Sequence, residues 1–182
     1  MAPHIALHEI GVPFEGKPIS FGRKQQRTPE YLAINREGRV PALVTDSGAV
    51  LTEVAAILYY LARKYPAAKL WPEGNLDAEA QVISWMSFIA SMLHPARARG
   101  HEHARAMYAL ADQRLGDREW ATDTFTIADI HLFRLFWRFK DSLKPEPGEF
   151  KALEAHRARM LQRLSVKKTI EVETAVGYEL PA

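Results

Sequence analysis

Strand-forming segments occur only in the first third of this chain, and nearly everything after residue 76 has helical periodicity. The two parts meet in "YPAAKLWPEGNL" (65–76), which holds two prolines and a glycine and so breaks any regular element. We therefore predict a fold of the α/β plus all-α class. Residues 1–66 are expected to form the α/β domain, 67–76 a linker and 77–182 an all-α domain.

The first part combines two helices with a hairpin. Residues 3–10 have helical spacing and stop at Gly11, and "TPEYLAIN" predicts a short helix capped by Thr28. "GKPISF" is a weak strand candidate at an edge position. "PALVT" and "AVLT", joined by "DSG", predict a hairpin, and a helix over 53–65 comes directly after it.

The second part is a series of helices. An apolar stripe leads up to His94, a helix covers about 101–115, and a third begins near Thr126. A fourth covers about 150–163 and is interrupted at Ser165 before a last short helix. Thr126 and Asp129 have the spacing of a capping box, in which each side chain satisfies a free backbone N–H at the helix start.

Composition excludes several classes of function. Twenty-four basic residues are interspersed with 22 acidic ones, and a net charge of +2 does not indicate nucleic acid binding. No apolar stretch is long enough to cross a membrane, and the N-terminus does not resemble a secretory signal. Without cysteine there is no thiolate metal site or cysteine nucleophile, and no other metal cluster is expected. We expect the cytoplasm as the compartment.

Three segments together carry a family resemblance: "INREGRVPALVTDSGAVLTEVAAILYYLARKYP", "FIASMLHPA" and "FTIADIHLF". In this order and spacing they resemble a bacterial glutathione transferase, nearest to the beta class. The resemblance implies a thioredoxin-like N-terminal domain, an all-α C-terminal domain and a homodimer. It also implies an enzyme that conjugates its co-substrate glutathione to a small hydrophobic electrophile. The alternative is a non-catalytic glutathione-binding or dimeric scaffold protein of the same fold.

The resemblance assigns the glutathione backbone to Val40 and Pro41. In the family, the residue before a cis-proline offers its N–H and C=O to glutathione as a neighbouring strand would. Without the resemblance, Pro41 would be read as a trans-proline opening an edge strand. Glu53 and Val54 fall where the γ-glutamyl group meets a helix start, which favours an anion. Glu53 alone would be read as an ordinary first-turn acid.

The remaining site residues are less sharply assigned. Lys24 aligns with a basic residue that meets the glycyl carboxylate, but Arg23 and Arg27 compete for that role, as does an ordinary solvated charge run. Ser87 and His94 match polar positions that face the thiol, and His94 could hydrogen-bond the thiolate and favour it. Read without the resemblance, a histidine at a helix end is a capping residue.

The chain departs from the family pattern at its start. "MAPHIALHEIGVPFE" resembles the family's first helix, so the first strand is expected to be absent. The loop after that strand, which in the family carries the Cys, Ser or Tyr that orients the thiol, would be absent with it. His94 is therefore the predicted thiolate stabiliser.

Overall fold

The computed structural model describes residues 1–177 and contains eight α-helices and a two-stranded sheet within that range. The predicted fold class is confirmed: a small thioredoxin-like α/β unit precedes a helical domain. The elements are α1 (Ala2–Ile10), α2 (Pro29–Ile34), β1 (Ala42–Val44), β2 (Val50–Thr52), α3 (Val54–Lys64), α4 (Leu76–Phe88), α5 (His101–Leu115), α6 (Ile127–Leu143), α7 (Lys151–Gln162) and α8 (Leu164–Ala175).

The predicted hairpin is confirmed, with β1 and β2 antiparallel and Leu43 opposite Leu51. Its turn contains Gly48 at φ 81°, a backbone conformation that glycine adopts without strain. The strand expected over 16–21 is wrong. The backbone N–H of Ser20 donates to the Gln25 side chain at 2.8 Å rather than to a neighbouring strand, and a short 3₁₀ turn, Gln25–Arg27, lies next in the chain.

The absence of a first strand stays a prediction. Within residues 1–177 the sheet consists of β1 and β2, and α1 (Ala2–Ile10) begins one residue before the helix predicted over 3–10 and stops at Gly11, with φ 79°, as expected. Helix α1 packs against α3, α6 and α8, so it lies in the interior of the molecule rather than along its surface.

One apolar core joins the two parts. Ile5 of α1, Ile57 of α3, Trp85 of α4 and Phe133 of α6 are all fully buried in it. The predicted linker takes part in the same packing, because Leu70 and Trp71 are buried and the Leu70 carbonyl accepts a hydrogen bond from Ile127 N–H at 3.1 Å. The division into residues 1–66, 67–76 and 77–182 remains our prediction.

Helix α6 starts on the predicted capping box. Thr126 Oγ1 accepts from the Ala128 N–H at 3.3 Å, and Asp129 Oδ2 accepts from the Thr126 N–H at 2.8 Å. Asp129 is fully buried, and its Oδ1 also accepts from the Ala121 N–H and contacts His156 Nε2 at 3.0 Å. One carboxylate thus ties together the entry to α6, the preceding loop and α7.

The last two helices differ slightly from expectation. The break between them falls at Arg163, whose backbone is extended, and not at Ser165, which lies inside α8. Arg163 leaves the helix to form a two-point ion pair with Glu9 of α1, at 2.6 and 2.9 Å. None of the described helices is both long and apolar enough to cross a membrane.

Candidate functional site

Two buried side chains donate hydrogen bonds to the backbone of the loop before β1. Tyr31 Oη donates to the Arg39 carbonyl at 2.6 Å, and Asn35 Nδ2 donates to the same oxygen at 2.8 Å. The Val40–Pro41 peptide bond is cis, which confirms the predicted conformation of this loop. Val40 itself remains exposed. The main-chain N–H and C=O of Val40 are therefore presented on a firmly supported loop.

Glu53 and Val54 lie at the start of α3, as the sequence predicted. Glu53 has φ 65° and ψ 125°, an uncommon conformation for a residue with a side chain, and its own side chain forms no cap. Backbone of this kind persists where the surrounding structure imposes it, and it is concentrated at functional sites. The first N–H groups of α3 have no partner within the helix and point toward the space in front of it.

Ser87 lies on the face of α4 that looks toward α3. It is exposed and helps to line an apolar groove of about 400 Å³ together with Ala55, Tyr59, Trp71 and other residues of the two helices. Ala55 belongs to the first turn of α3, so Ser87 is close to that helix start. The groove thus links Ser87 to the first turn of α3.

His94 comes directly after a local change in helix geometry. Beyond Phe88, α4 continues as a π-helical turn over Ile89–Leu93 and then as a 3₁₀ segment over His94–Arg99. A π-turn inserts an extra residue per turn and reorients the side chains beyond it, and such turns are frequent at functional sites. His94 is the C-cap of the π-helical turn, where its backbone N–H donates to the Ile89 carbonyl, and it is also the first residue of the 3₁₀ segment.

The environment of His94 is positive. The residue keeps an exposed surface, yet surrounding protein atoms remove water from its ring, and this burial is the main cause that lowers its pKa. The charges of Arg134, Arg138 and Arg39 lower it further. The imidazole is therefore neutral at neutral pH and can donate one N–H. The influence of Arg39 also places His94 near the Val40–Pro41 loop.

The three basic candidates for the glycyl carboxylate differ in their surroundings. Arg27 Nη1 donates to the Glu37 carbonyl at 3.3 Å, so this side chain supports the loop that leads to Arg39. Lys24 and Arg23 are exposed in the preceding turn, and Lys24 has φ 54°. The choice between Lys24 and Arg23 stays open.

Sequence reasoning missed a group of residues around His94. Arg39, Arg97 and Arg134 come from three separate segments, and their charges act on His94 or on Tyr108 of α5. The spacing of His131, Arg134 and Arg138 on α6 places the three side chains on one helix face, which was the available signal. Only the surrounding fold shows that this face looks toward His94.

A second groove lies elsewhere. It measures about 560 Å³ and is lined by residues of α1, α7, α8 and the loop before α6, among them His8, Trp120 and Arg163. None of the predicted site residues contributes to it. We place the candidate site at the Val40–Pro41 loop because the supported backbone and the titratable groups meet there. The described residues contain no cluster of three or more His, Asp or Glu arranged to hold a metal.

Comparisons with known proteins show the family of this chain. Residues 1–63 match the profile of the glutathione S-transferase N-terminal domain, and residues 85–163 match that of the C-terminal domain. The glutathione S-transferase GST-4.5 of Xanthomonas campestris pv. campestris is 33% identical over 95% of this chain and 93% of its own length.

Two solved structures are similar over nearly the whole chain. A sphingomonad glutathione S-transferase complexed with glutathione superposes with a TM-score of 0.84, at 34% identity, over 95% of this chain and 93% of its own. The beta-class glutathione S-transferase of Sphingomonas chungbukensis gives a TM-score of 0.83 at 31% identity, over 94% of this chain and 92% of its own.

Proposed function

The chain belongs to the glutathione S-transferase family, and from that premise we propose that it is a transferase that conjugates glutathione to a small electrophile. The observation that carries the proposal is the supported cis-proline loop beside His94. Its exposed main chain suits a peptide ligand, and the adjacent positive charges suit a thiolate.

Glutathione would bind first through its backbone. The N–H and C=O of Val40 would pair with the cysteinyl residue as an added strand. The γ-glutamyl carboxylate would meet the free N–H groups at the start of α3, where the helix dipole favours an anion. Glu53 would hold the γ-glutamyl ammonium, and Val54 would contribute its backbone N–H. Lys24 would meet the glycyl carboxylate, and Ser87 would lie near the start of α3.

The chemistry requires the thiolate form of glutathione, because the thiolate is the nucleophile. A free thiol has a pKa of about 8.5, and nearby positive charge lowers that value. Neutral His94 would donate its N–H to the sulfur while Arg39 contributes positive charge. The thiolate then attacks an electron-poor carbon, a C–S bond forms, and the leaving group departs with its electron pair.

The assembly would be a homodimer in the cytoplasm. The apolar groove between α3 and α4, with Tyr59 and Ile83 exposed along it, supports a contact with a second copy. Each predicted domain would bind one substrate: residues 1–66 would bind glutathione, and residues 77–182 would bind the electrophile.

Calorimetry with glutathione, and then a conjugation assay with chlorodinitrobenzene, tests the proposal. We expect heat of binding at millimolar glutathione and turnover above the uncatalysed rate. Glu53→Gln should weaken glutathione binding about tenfold, as expected for the loss of one charged contact. Glu37→Gln, an exposed carboxylate in the preceding loop, is the matched control and should leave binding unchanged.

His94→Gln separates binding from chemistry. It should lower kcat about tenfold with little effect on glutathione affinity, because the contact with the thiolate matters most in the transition state. His8→Gln on α1 should change neither quantity. Binding of glutathione without turnover would identify a non-catalytic binding protein instead, and no binding at all would overturn the proposal.

A further inference from the structure

Three arginines of this region have no negative counterpart among the described residues. Arg39, Arg97 and Arg134 form no ion pair with any residue among 1–177. Arg134 is half-buried on α6, and the Arg97 guanidinium lies 4.4 Å from the centroid of the Phe139 ring. Like charges held together without a counter-ion cost free energy, so such an arrangement is favourable once an anion is bound.

These charges converge on the same buried groups. Burial raises the pKa of Tyr108, and Arg134 and Arg97 both oppose that shift. Burial first, and then the charges of Arg134 and His94, lower the pKa of His131 to about 3. Arg134 therefore acts on His94, Tyr108 and His131 at once, and it is the centre of the cluster.

Two polar atoms in the cluster are buried without a hydrogen-bond partner among the described residues. They are Tyr108 Oη and His131 Nδ1, in side chains that are 0% and 3% exposed. A buried polar atom left unpaired is destabilising, so each such atom requires an explanation. A hydroxyl beside two guanidinium groups is a suitable donor to an anion that also meets Arg97 and Arg134.

The position of the cluster relates it to the reaction. Arg39 directly precedes Val40, whose main chain would hold the cysteinyl part of glutathione, and its charge reaches His94. An anion bound at Arg97 and Arg134 would therefore lie beside the sulfur. The Arg97 guanidinium packs on the buried Phe139 ring, which helps to fix its position.

We propose that the electrophile accepted by this chain is an anion, a small molecule with an apolar body and a carboxylate held by Arg97, Arg134 and the Tyr108 hydroxyl. This inference rests on the proposed transferase function and specifies its second substrate. Guanidinium groups match a carboxylate with paired hydrogen bonds, whereas covering them with an uncharged molecule would remove their water without replacement. The carboxylate takes no part in bond changes: sulfur attacks, the C–S bond forms, and the leaving group departs.

A matched pair of electrophiles tests the inference. One is a chlorodinitrobenzoate with the carboxylate para to chlorine, and the other is the corresponding amide. Each enzymatic kcat/KM is divided by the uncatalysed rate constant with glutathione, which removes differences in intrinsic reactivity. We expect the acid to exceed the amide by about tenfold or more, the effect of one or two charged hydrogen bonds.

Variants of the cluster should abolish that preference. Arg134→Gln and Arg97→Gln should each lower the corrected kcat/KM for the acid about tenfold and change that for the amide less than about twofold. Arg134→Lys, which keeps the charge, should retain part of the preference. Arg99→Gln, an exposed arginine in the same 3₁₀ segment as Arg97, is the control and should change neither value.

Two results would overturn the inference. One is a corrected kcat/KM of the unmodified chain that is equal for the acid and the amide. The other is an equal loss for both in Arg134→Gln, since the cluster would then serve the glutathione thiolate and not the electrophile. Circular dichroism of each variant establishes that it is folded.

A binding measurement keeps the inference testable if the chain shows no turnover. Calorimetry with dinitrobenzoate, which lacks the chlorine, and with its amide reports on the anion site alone. Binding of the acid that is lost in Arg134→Gln supports the site, even where glutathione fails to bind and the proposed function is wrong. No binding of the acid in the unmodified chain overturns it.

Discussion

Charged side chains where α1 meets the last helices are matched with opposite charges, whereas Arg39 and Arg134, beside the Val40–Pro41 loop, have no such match among the described residues. Glu9 accepts from Arg163 at 2.6 and 2.9 Å, and His4 Nδ1 lies 3.1 Å from the Glu173 carboxylate. Around His94, by contrast, Arg39 and Arg134 have no carboxylate partner within residues 1–177.

The ion pairs at α1 stabilise the fold. We infer that the arginines without an ion pair serve to bind a ligand instead. In a buried ion pair each charge compensates the other. Removing one partner leaves the other charge buried and uncompensated, which strongly destabilises the fold. A group of like charges has the opposite property, because removing one member relieves repulsion. Stability measurements on the two regions should therefore give different signs as well as different sizes.

The largest effect on stability is expected at Asp129, a buried carboxylate with several hydrogen-bond partners. Asp129→Ala leaves the N–H groups of Ala121 and Thr126 and the ring of His156 without their buried acceptor, and should lower the free energy of unfolding by about 4 kcal/mol. Urea denaturation measures this loss.

Thr126→Ala is the comparison for that variant. It removes only the hydroxyl cap and should cost about 1 kcal/mol. Equal losses for the two variants would show that the Asp129 carboxylate contributes no more than an ordinary cap.

An intermediate and pH-dependent effect is expected at Glu9. Burial by itself raises the pKa of this carboxyl, but the hydrogen bonds from Arg163 and Ser165 outweigh it and hold the pKa below the usual 4.5. The charged form therefore stabilises the folded chain above pH 4.5, and the contribution is lost as pH falls through the lower folded pKa. Glu9→Gln should cost about 2 kcal/mol at neutral pH.

Unfolding of Glu9→Gln and the unmodified chain at a series of pH values checks the sign. The difference between them should be constant at neutral pH and shrink on acidification below pH 4.5. A difference that grows toward acid pH contradicts the assignment. Glu15→Gln, an exposed carboxylate, is the control and should show no such dependence.

The smallest effect is expected in the unmatched region. Arg134→Gln should change the free energy of unfolding by no more than about 0.5 kcal/mol, or raise it, because no partner is lost and repulsion is reduced. The same variant is expected to lose the preference for an anionic electrophile. A loss of stability comparable to that of Glu9→Gln would mean that Arg134 has a structural role and would remove the contrast between the two regions.

Local elements were predictable because their determinants lie next to each other in the chain. The capping box at Thr126, the hairpin turn at "DSG" and the stop at Gly11 each depend on a few neighbouring residues, and all three were found as expected. The prediction of a strand at 16–21 was wrong because it had little local support. Its local signal was weak, and a contact between Ser20 and Gln25 took the place of a strand partner.

The candidate site was predictable only in part. The cis Val40–Pro41 bond and the helix start at Glu53 were expected from the family resemblance, since both belong to one continuous stretch. The roles of Lys24, Val40, Pro41, Glu53, Val54, Ser87 and His94 toward glutathione stay predictions. Ser87 lines the groove beside α3, and its expected place at the thiol together with His94 is among these predictions.

The sequence by itself determined the order of elements, the caps and turns that bound them, and the family to which the chain belongs. Those properties depend on residue type and short-range spacing, which are fully written in the chain. The tertiary structure alone decided that the charges of Arg39 and Arg134 act on His94 and that those of Arg97 and Arg134 act on Tyr108. These residues come from a loop, a 3₁₀ segment and two helices, and only packing brings their charges to bear on each other.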